Sequence, residues 1–123
     1  MIKRVLIVDD EIDILKSVKM LVEITGYEAK ITNDGNKAIE ILKKEKYDLV
    51  LLDMLMPKIS GIATLEKIRM DSKIKNQKVA FLTVVSLSQA GKKVVEDLKP
   101  VAYIEKPIDN SEFKRTIKKI LGD

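Results

Sequence analysis

Five times along its 123 residues the chain passes from a short apolar run to an amphipathic stretch of helical period. No other feature restricts its possible folds as tightly. The runs Val5–Val8, Leu49–Leu52 and Val79–Leu82 are continuous rather than alternating, the pattern of strands buried on both faces. Tyr27–Thr32 and Val101–Ile104 are weaker runs and suit positions nearer the sheet edges. Strands that alternate with helices in this way predict an α/β fold, a parallel five-stranded sheet with helices on both faces.

The intervening segments support that reading. Glu11–Thr25 places Ile14, Val18, Leu21 and Val22 on one helical face and stops before Gly26. Asp34–Lys46 buries Ala38, Ile41 and Leu42, and Gly61–Met70 presents Ile62, Leu65 and Ile68. Gln89–Leu98 is the weakest helix, with Gly91 in its first turn and a face of Val94, Val95 and Leu98. In Asn110–Leu121 the stripe is Phe113, Ile117, Ile120 and Leu121, with Asp109 as cap and Glu112 in the capping-box position. No long linker or repeat interrupts this pattern, and the chain ends two residues after the last stripe position. The expectation is one self-contained domain over residues 1–123.

Composition removes several chemistries. The chain has no cysteine and no histidine, which excludes disulfides, zinc fingers, thiol nucleophiles and histidine acid–base catalysis. A net charge of +4 and a pI near 9.2 invite a nucleic-acid reading. The lysines, however, are spread along the helices beside acids such as Glu40, four residues before Lys44. No basic stripe interleaved with aromatics appears, so nucleic acid is not an expected partner. No apolar stretch approaches the roughly 20 residues that span a bilayer. Lys3-Arg4 follows Met1 almost at once, without the apolar centre of a leader. A cytoplasmic protein that does not engage membranes is expected.

Open parallel sheets build their sites outside the carboxyl ends of the strands, where strand order reverses. Here the first strand leads into Asp9-Asp10, the third into Asp53 and the fourth into Thr83, and the fifth is followed by Lys106-Pro107. Three carboxylates meeting at one sheet edge repel strongly unless a cation joins them. A hard, oxygen-loving ion such as Mg²⁺ fits that donor set. A carboxylate nucleophile flanked by a metal, a hydroxyl and a lysine is suited to accept a phosphoryl group. Taken singly, each residue has a plainer reading: Asp9-Asp10 as a helix cap, Thr83 as a β-former, Lys106 as a surface lysine and Tyr103 as packing.

The set resembles the receiver domains of two-component response regulators along the whole chain. The resemblance rests on Asp9-Asp10, on Asp53-Met54-Leu55-Met56-Pro57 with Gly61 eight residues past the aspartate, on Thr83 thirty residues beyond Asp53, and on Tyr103-Ile104-Glu105-Lys106-Pro107. It implies a flavodoxin-like fold of strand order 2-1-3-4-5. It implies Asp53 as phospho-acceptor and Asp10 as direct metal ligand, with Asp9 holding the metal through water and the Leu55 backbone carbonyl as a further ligand. Thr83 and Lys106 would grip the phosphoryl group, Thr83 and Tyr103 would act as switch residues, and the Lys106–Pro107 bond would be cis. Mg²⁺ is the implied cofactor, with Mn²⁺ as a substitute. The protein would be a stand-alone phosphoacceptor rather than an enzyme acting on other substrates, a monomer or weak phosphorylation-dependent dimer. Its donor would be a histidine kinase or phosphotransfer protein. Its protein target would bind the face made by the last two helices and the fifth strand.

Other occupants of this fold class fail at the site. A haloacid-dehalogenase-type phosphatase needs an aspartate two residues after the nucleophile, where this chain has Leu55. A flavodoxin-like FMN binder needs hydroxyls and glycines after the first strand, where Asp9-Asp10-Glu11 would repel a phosphate. A P-loop nucleotidase needs a Gly-rich loop ending in Lys-Ser/Thr, and none is present. Within the receiver pattern the chain departs at Val84, where a small residue is usual, and at Lys99-Pro100, where Gly-Ala is usual. Leu55 and Val85 flank the line of attack on the phosphoryl group without an amide or carboxylate to orient a water. Slow self-dephosphorylation is expected. The bulk of Val84 favours an alternative, a receiver-like adaptor whose output does not depend on phosphate. A receiver cut from a longer protein is a third possibility.

Overall fold

All five apolar runs join one parallel sheet in the computed structural model, which describes residues 2–84 and 89–122 apart from the side chains at 89, 90 and 94. The elements run β1 (Arg4–Val8), α1 (Ile12–Ile24), β2 (Glu28–Thr32), α2 (Gly35–Lys44), β3 (Leu49–Asp53), α3 (Gly61–Met70), β4 (Val79–Thr83), α4 (Gln89–Glu96), β5 (Ala102–Glu105) and α5 (Asn110–Leu121). The strand order is β2-β1-β3-β4-β5, every pairing parallel. Strand order reverses at β1 and β3, whose register sets Val8 opposite Leu52; on the far side of β3, Asp53 stands opposite Leu82. The carboxyl ends of β1, β3 and β4 therefore finish at one edge, each strand running one residue further than the last.

Alternate side chains of the central strands feed two separate cores, as the pleat requires. Val5, Ile7, Leu49, Leu51, Ala80 and Leu82 face α1 and α5, meeting Leu15, Val18, Val22, Phe113, Ile117 and Leu121. Leu6, Val8, Val50, Leu52, Val79 and Phe81 face the other helices, meeting Ala38, Leu42, Leu65, Ile68 and Val95. Burial on both faces explains why these strands read as continuous apolar runs. In α1 the deepest residue of the first turn is Leu15, and Ile14 and Leu21 only flank the core.

Boundaries differ from the sequence reading where local chemistry intervenes. Tyr27 is buried but precedes β2. The α2 helix stops at Lys44 because Glu45 is extended and its carboxylate is taken by Arg4 at 2.9 Å and Lys30 at 3.0 Å. The α4 helix stops at Glu96. There the Leu98 and Lys99 N–H groups turn back to the carbonyls of Val95 and Glu96, tightening the last turn. Lys99 then adopts φ 53°, a left-handed conformation uncommon outside glycine, and Pro100 follows. Val101 consequently falls outside β5 and is exposed.

One guanidinium secures this corner. Arg69 donates from Nε to the Leu98 carbonyl at 2.6 Å and from Nη1 to the carbonyls of Lys75 at 2.8 Å and Gln77 at 2.7 Å. Its Nη2 reaches the Lys99 carbonyl at 3.2 Å. Burial of the group lowers its pKa from the usual guanidinium value. The ends of α3 and α4 and the strand entrance of β4 are thus held by a single side chain.

Candidate functional site

The carboxyl edge of the sheet gathers acids whose positions follow from the strands that carry them. Asp9 continues β1, its N–H bonded to the Thr32 carbonyl at 3.2 Å, and its side chain is fully buried. It does not cap α1. The cap residue is Glu11, without a side-chain cap bond, and Asp9 Oδ1 instead accepts from the Glu11 N–H at 3.0 Å. Asp53 ends β3 and is 5% exposed. Its Oδ1 accepts from the Leu55 N–H at 3.3 Å, while Asp10 stands exposed beside the pair. One oxygen from each of Asp9, Asp10 and Asp53 lies within 4.8 Å of the others.

Lys106 brings the positive charge. Its backbone N–H bonds to the Thr83 carbonyl at 2.8 Å, and the Lys106–Pro107 peptide is cis. From there Nζ donates to Asp9 Oδ2 at 2.7 Å and lies 3.4 Å from Asp53 Oδ1, with the side chain 7% exposed. The ammonium therefore sits closer to Asp9 than to Asp53. Burial, and then the charge of Asp9, push the Asp53 carboxyl up to about 6, with Lys106 and the Leu55 N–H pulling the other way. Burial opposes the charge on Lys106, yet its bond to Asp9 and the field of Asp53 more than offset this and raise its pKa.

Such an arrangement can bind a divalent cation. Three carboxylates supply only hard oxygen donors, and one ammonium does not neutralise them. Asp53, ionised, would be a nucleophile between that cation and Lys106. Thr83 closes β4 nearly buried, its Oγ1 4.0 Å from the Met54 sulfur.

The loop after Asp53 is fixed by close backbone packing. The Gly61 N–H bonds to the Met54 carbonyl at 2.9 Å. A Cβ at Gly61 would lie 2.1 Å from the Asp53 carbonyl oxygen and 2.8 Å from Met54 Cα. The glycine spacing in the sequence thus reflects a helix start pressed against the acceptor strand. The Leu55 side chain is 57% exposed and Val84 68% exposed, leaving two apolar side chains out of the core beside the acids. Tyr103 is 38% exposed and stacks on Phe81 with ring centroids 6.0 Å apart. Val85 lies outside the described residues.

What pure sequence reasoning missed is the direct Asp9–Lys106 bond, which spans 97 positions and has no local signature. The Arg69 clamp was equally invisible, because backbone carbonyls as acceptors leave no mark on composition. No helix among the described residues is long and apolar enough to cross a membrane.

Comparison with known proteins agrees with this fold. Residues 5–118 match the family model of the response regulator receiver domain. The polar-differentiation response regulator DivK of Brucella anthropi is 31% identical over 121 residues, covering 98% of both chains. A transcriptional regulatory protein CpxR homolog of Haemophilus influenzae is 35% identical over 126 residues, and this chain spans half of that protein's length. Among solved structures, the chemotaxis protein CheY4 of Vibrio cholerae superposes with a TM-score of 0.90 at 26% identity, covering 98% of this chain and 100% of that one. A CheY-like receiver domain protein of Methanospirillum hungatei gives 0.88 at 30% identity, covering 99% and 95%.

Proposed function

The chain belongs to the response regulator receiver family of two-component signalling, and from that premise we propose that it is a Mg²⁺-dependent phosphoryl acceptor in which Asp53 takes the group from a phosphohistidine. The observation that carries this reading is the placement of Lys106 Nζ, 2.7 Å from Asp9 and 3.4 Å from Asp53, at the mouth of a three-carboxylate cluster. Asp9 and Asp10, with the Leu55 carbonyl, would hold the ion. Bound there, Mg²⁺ supplies charge neutralisation for carboxylates and phosphoryl oxygens.

In the transfer, an Asp53 carboxylate oxygen forms a bond to phosphorus as the phosphorus–nitrogen bond of the donor breaks. The leaving imidazole then takes a proton from solvent. Lys106 is placed to exchange part of its contact with the carboxylates for a phosphoryl oxygen, and the Thr83 hydroxyl to contact another. Ionised Asp53 is required, so acceptance falls as the pH drops below the carboxyl's own pKa. Charge gathered on the phosphorylated edge then biases a two-state equilibrium with Thr83 and Tyr103 as the moving groups. The signal leaves through a partner protein on the face of α4, β5 and α5. The unit that does this is the whole of residues 1–123, acting in the cytoplasm, as a monomer or a weak phosphorylation-dependent dimer.

Intact-mass measurement after incubation with acetyl phosphate and Mg²⁺ tests the reading. A gain of one phosphoryl group, absent in Asp53→Ala and without Mg²⁺, is expected. No gain with acetyl phosphate or with a phosphorylated histidine phosphotransfer protein would overturn it. Exposed Val84, next to Thr83, favours a second reading in which the surface binds its partner independently of phosphate. Equal partner capture by native protein and Asp53→Ala would select that one.

A further inference from the structure

At the opposite end of the sheet, where β1, β3 and β4 begin, lies a groove of ≈ 780 Å³. Core residues Leu42, Tyr47 and Ile74 close it from below with less than a tenth of each exposed, and the apolar surface it offers is Ile2, 62% exposed. The walls are tied together rather than loose. Gln77 Nε2 donates to the Tyr47 carbonyl at 3.1 Å, and Arg4 lies over the Tyr47 ring with its guanidinium carbon 4.5 Å from the centroid. Lys43 pairs with Asp71 at 3.0 Å, tying the end of α2 to the end of α3.

The charges around this groove do not balance. Both acids that line it are already engaged, Glu45 with Arg4 and Lys30, and Asp48 with the Arg4 backbone N–H at 2.8 Å, and nearby Asp71 is taken by Lys43. Among the described residues, no carboxylate pairs with the ammonium groups of Lys44, Lys46 or Lys73. Lys43 and Lys44 have an ordinary explanation, since they lie in the last turn of α2 where the helix dipole favours cations. Lys46 and Lys73 lie outside any helix and have no such reason to be there.

We propose that this groove docks an acidic polypeptide segment of a partner protein, a segment carrying an aliphatic or aromatic anchor. Unbalanced lysines call for acidic residues, and exposed Ile2 beside them calls for an apolar side chain to cover it. The volume is in the range of clefts that bury a few side chains. A nucleic acid fits less well. The one aromatic ring on the floor is covered by Arg4, so no base can stack on it. Helices α2 and α3 turn their carboxyl ends to the groove, so no row of free N–H groups is offered to phosphates. The five residues of β3 separate the groove from the carboxylates by about 16 Å. Docking here is therefore independent of phosphoryl acceptance at Asp53.

Fluorescence anisotropy with a labelled octapeptide, a Leu-Phe pair between two acidic triplets, tests the proposal at about 0.15 M salt. Binding is expected, with backbone amide shifts gathered at residues 42–48 and 72–77. Lys46→Glu combined with Lys73→Glu should weaken it at least ~tenfold while leaving acetyl-phosphate uptake unchanged. Absence of binding, equal binding by the double variant, or shifts gathered elsewhere would overturn the proposal. So would equal binding of a peptide with Gly-Gly in place of Leu-Phe, or of an oligothymidylate of similar charge. Loss of phosphoryl uptake with the peptide still bound would count against the acceptor reading alone.

Discussion

Replacing Asp53 by asparagine should stabilise the protein at neutral pH when no divalent ion is present. The carboxyl is held at about 6 rather than an ordinary 3.8, by burial and then by Asp9. At 1.36 kcal/mol per pKa unit, that displacement corresponds to about 3 kcal/mol of penalty on the ionised form. Solvent at the open sheet edge screens part of it, leaving about 2 kcal/mol. The sign follows from linkage. A raised native pKa gives a contribution present below about pH 4, where the unfolded carboxyl is also protonated, and lost as the pH rises through about 6.

The amide of Asp53→Asn mimics the protonated carboxyl and leaves Lys106 its closer partner, Asp9. Urea unfolding in EDTA, followed by circular dichroism, should therefore show the variant more stable than native protein by about 2 kcal/mol at pH 7.5, shrinking towards zero near pH 4. Adding Mg²⁺ should shrink that advantage. At a hundredfold excess over the dissociation constant, native protein gains about 2.7 kcal/mol, and the variant, one carboxylate poorer, gains less. An asparagine form no more stable than native at pH 7.5, or an advantage of equal size at pH 4.5, would refute the electrostatic account of the site.

Other perturbations reach the same edge by different routes. Lys106→Ala leaves the fully buried Asp9 without its cation and should cost about 3 kcal/mol in EDTA, part of it restored by Mg²⁺ in the same urea titration. A methyl group at Gly61 would meet backbone atoms that cannot yield. Gly61→Ala should accordingly lower stability by about 3 kcal/mol and slow phosphoryl uptake, and a melting point equal to native would contradict the packing described. Leu55→Asn with Val85→Glu supplies groups able to orient a water, so the phosphoryl half-life, read from intact mass over time, should shorten. Fast decay in native protein, unchanged by the pair, would remove these side chains from the account.

The architecture was open to sequence reading because strands buried on both faces leave continuous apolar runs. Helix caps told nearly as much, as at Asp109, whose carboxylate accepts from the Glu112 N–H at 2.9 Å. Asp9, Asp10, Asp53, Thr83 and Lys106 could be placed at one edge because parallel topology sends every strand's carboxyl end the same way. Finer features escaped for physical reasons. Whether Lys106 meets Asp9 or Asp53 is decided by tenths of an ångström that residue spacing does not carry. The early stop of α2 depends on Arg4, forty-one positions away, and that of α4 on a left-handed Lys99.

The Arg69 clamp gives α4 a mechanical character. Its far end is fastened at Leu98 and Lys99, while its near end begins six residues after Thr83. A helix of eight residues is about 12 Å long, so a 1 Å displacement delivered at the Thr83 end swings it by about 5° about that fastening instead of carrying it bodily. The helix behaves as a lever with its fulcrum remote from the chemistry, and Arg69→Ala should free the fulcrum. Residual dipolar couplings along α4 would record a change of tilt on phosphorylation in native protein and a smaller one in the variant, whose helix can shift as a whole. The same tilt in both would place the fulcrum elsewhere.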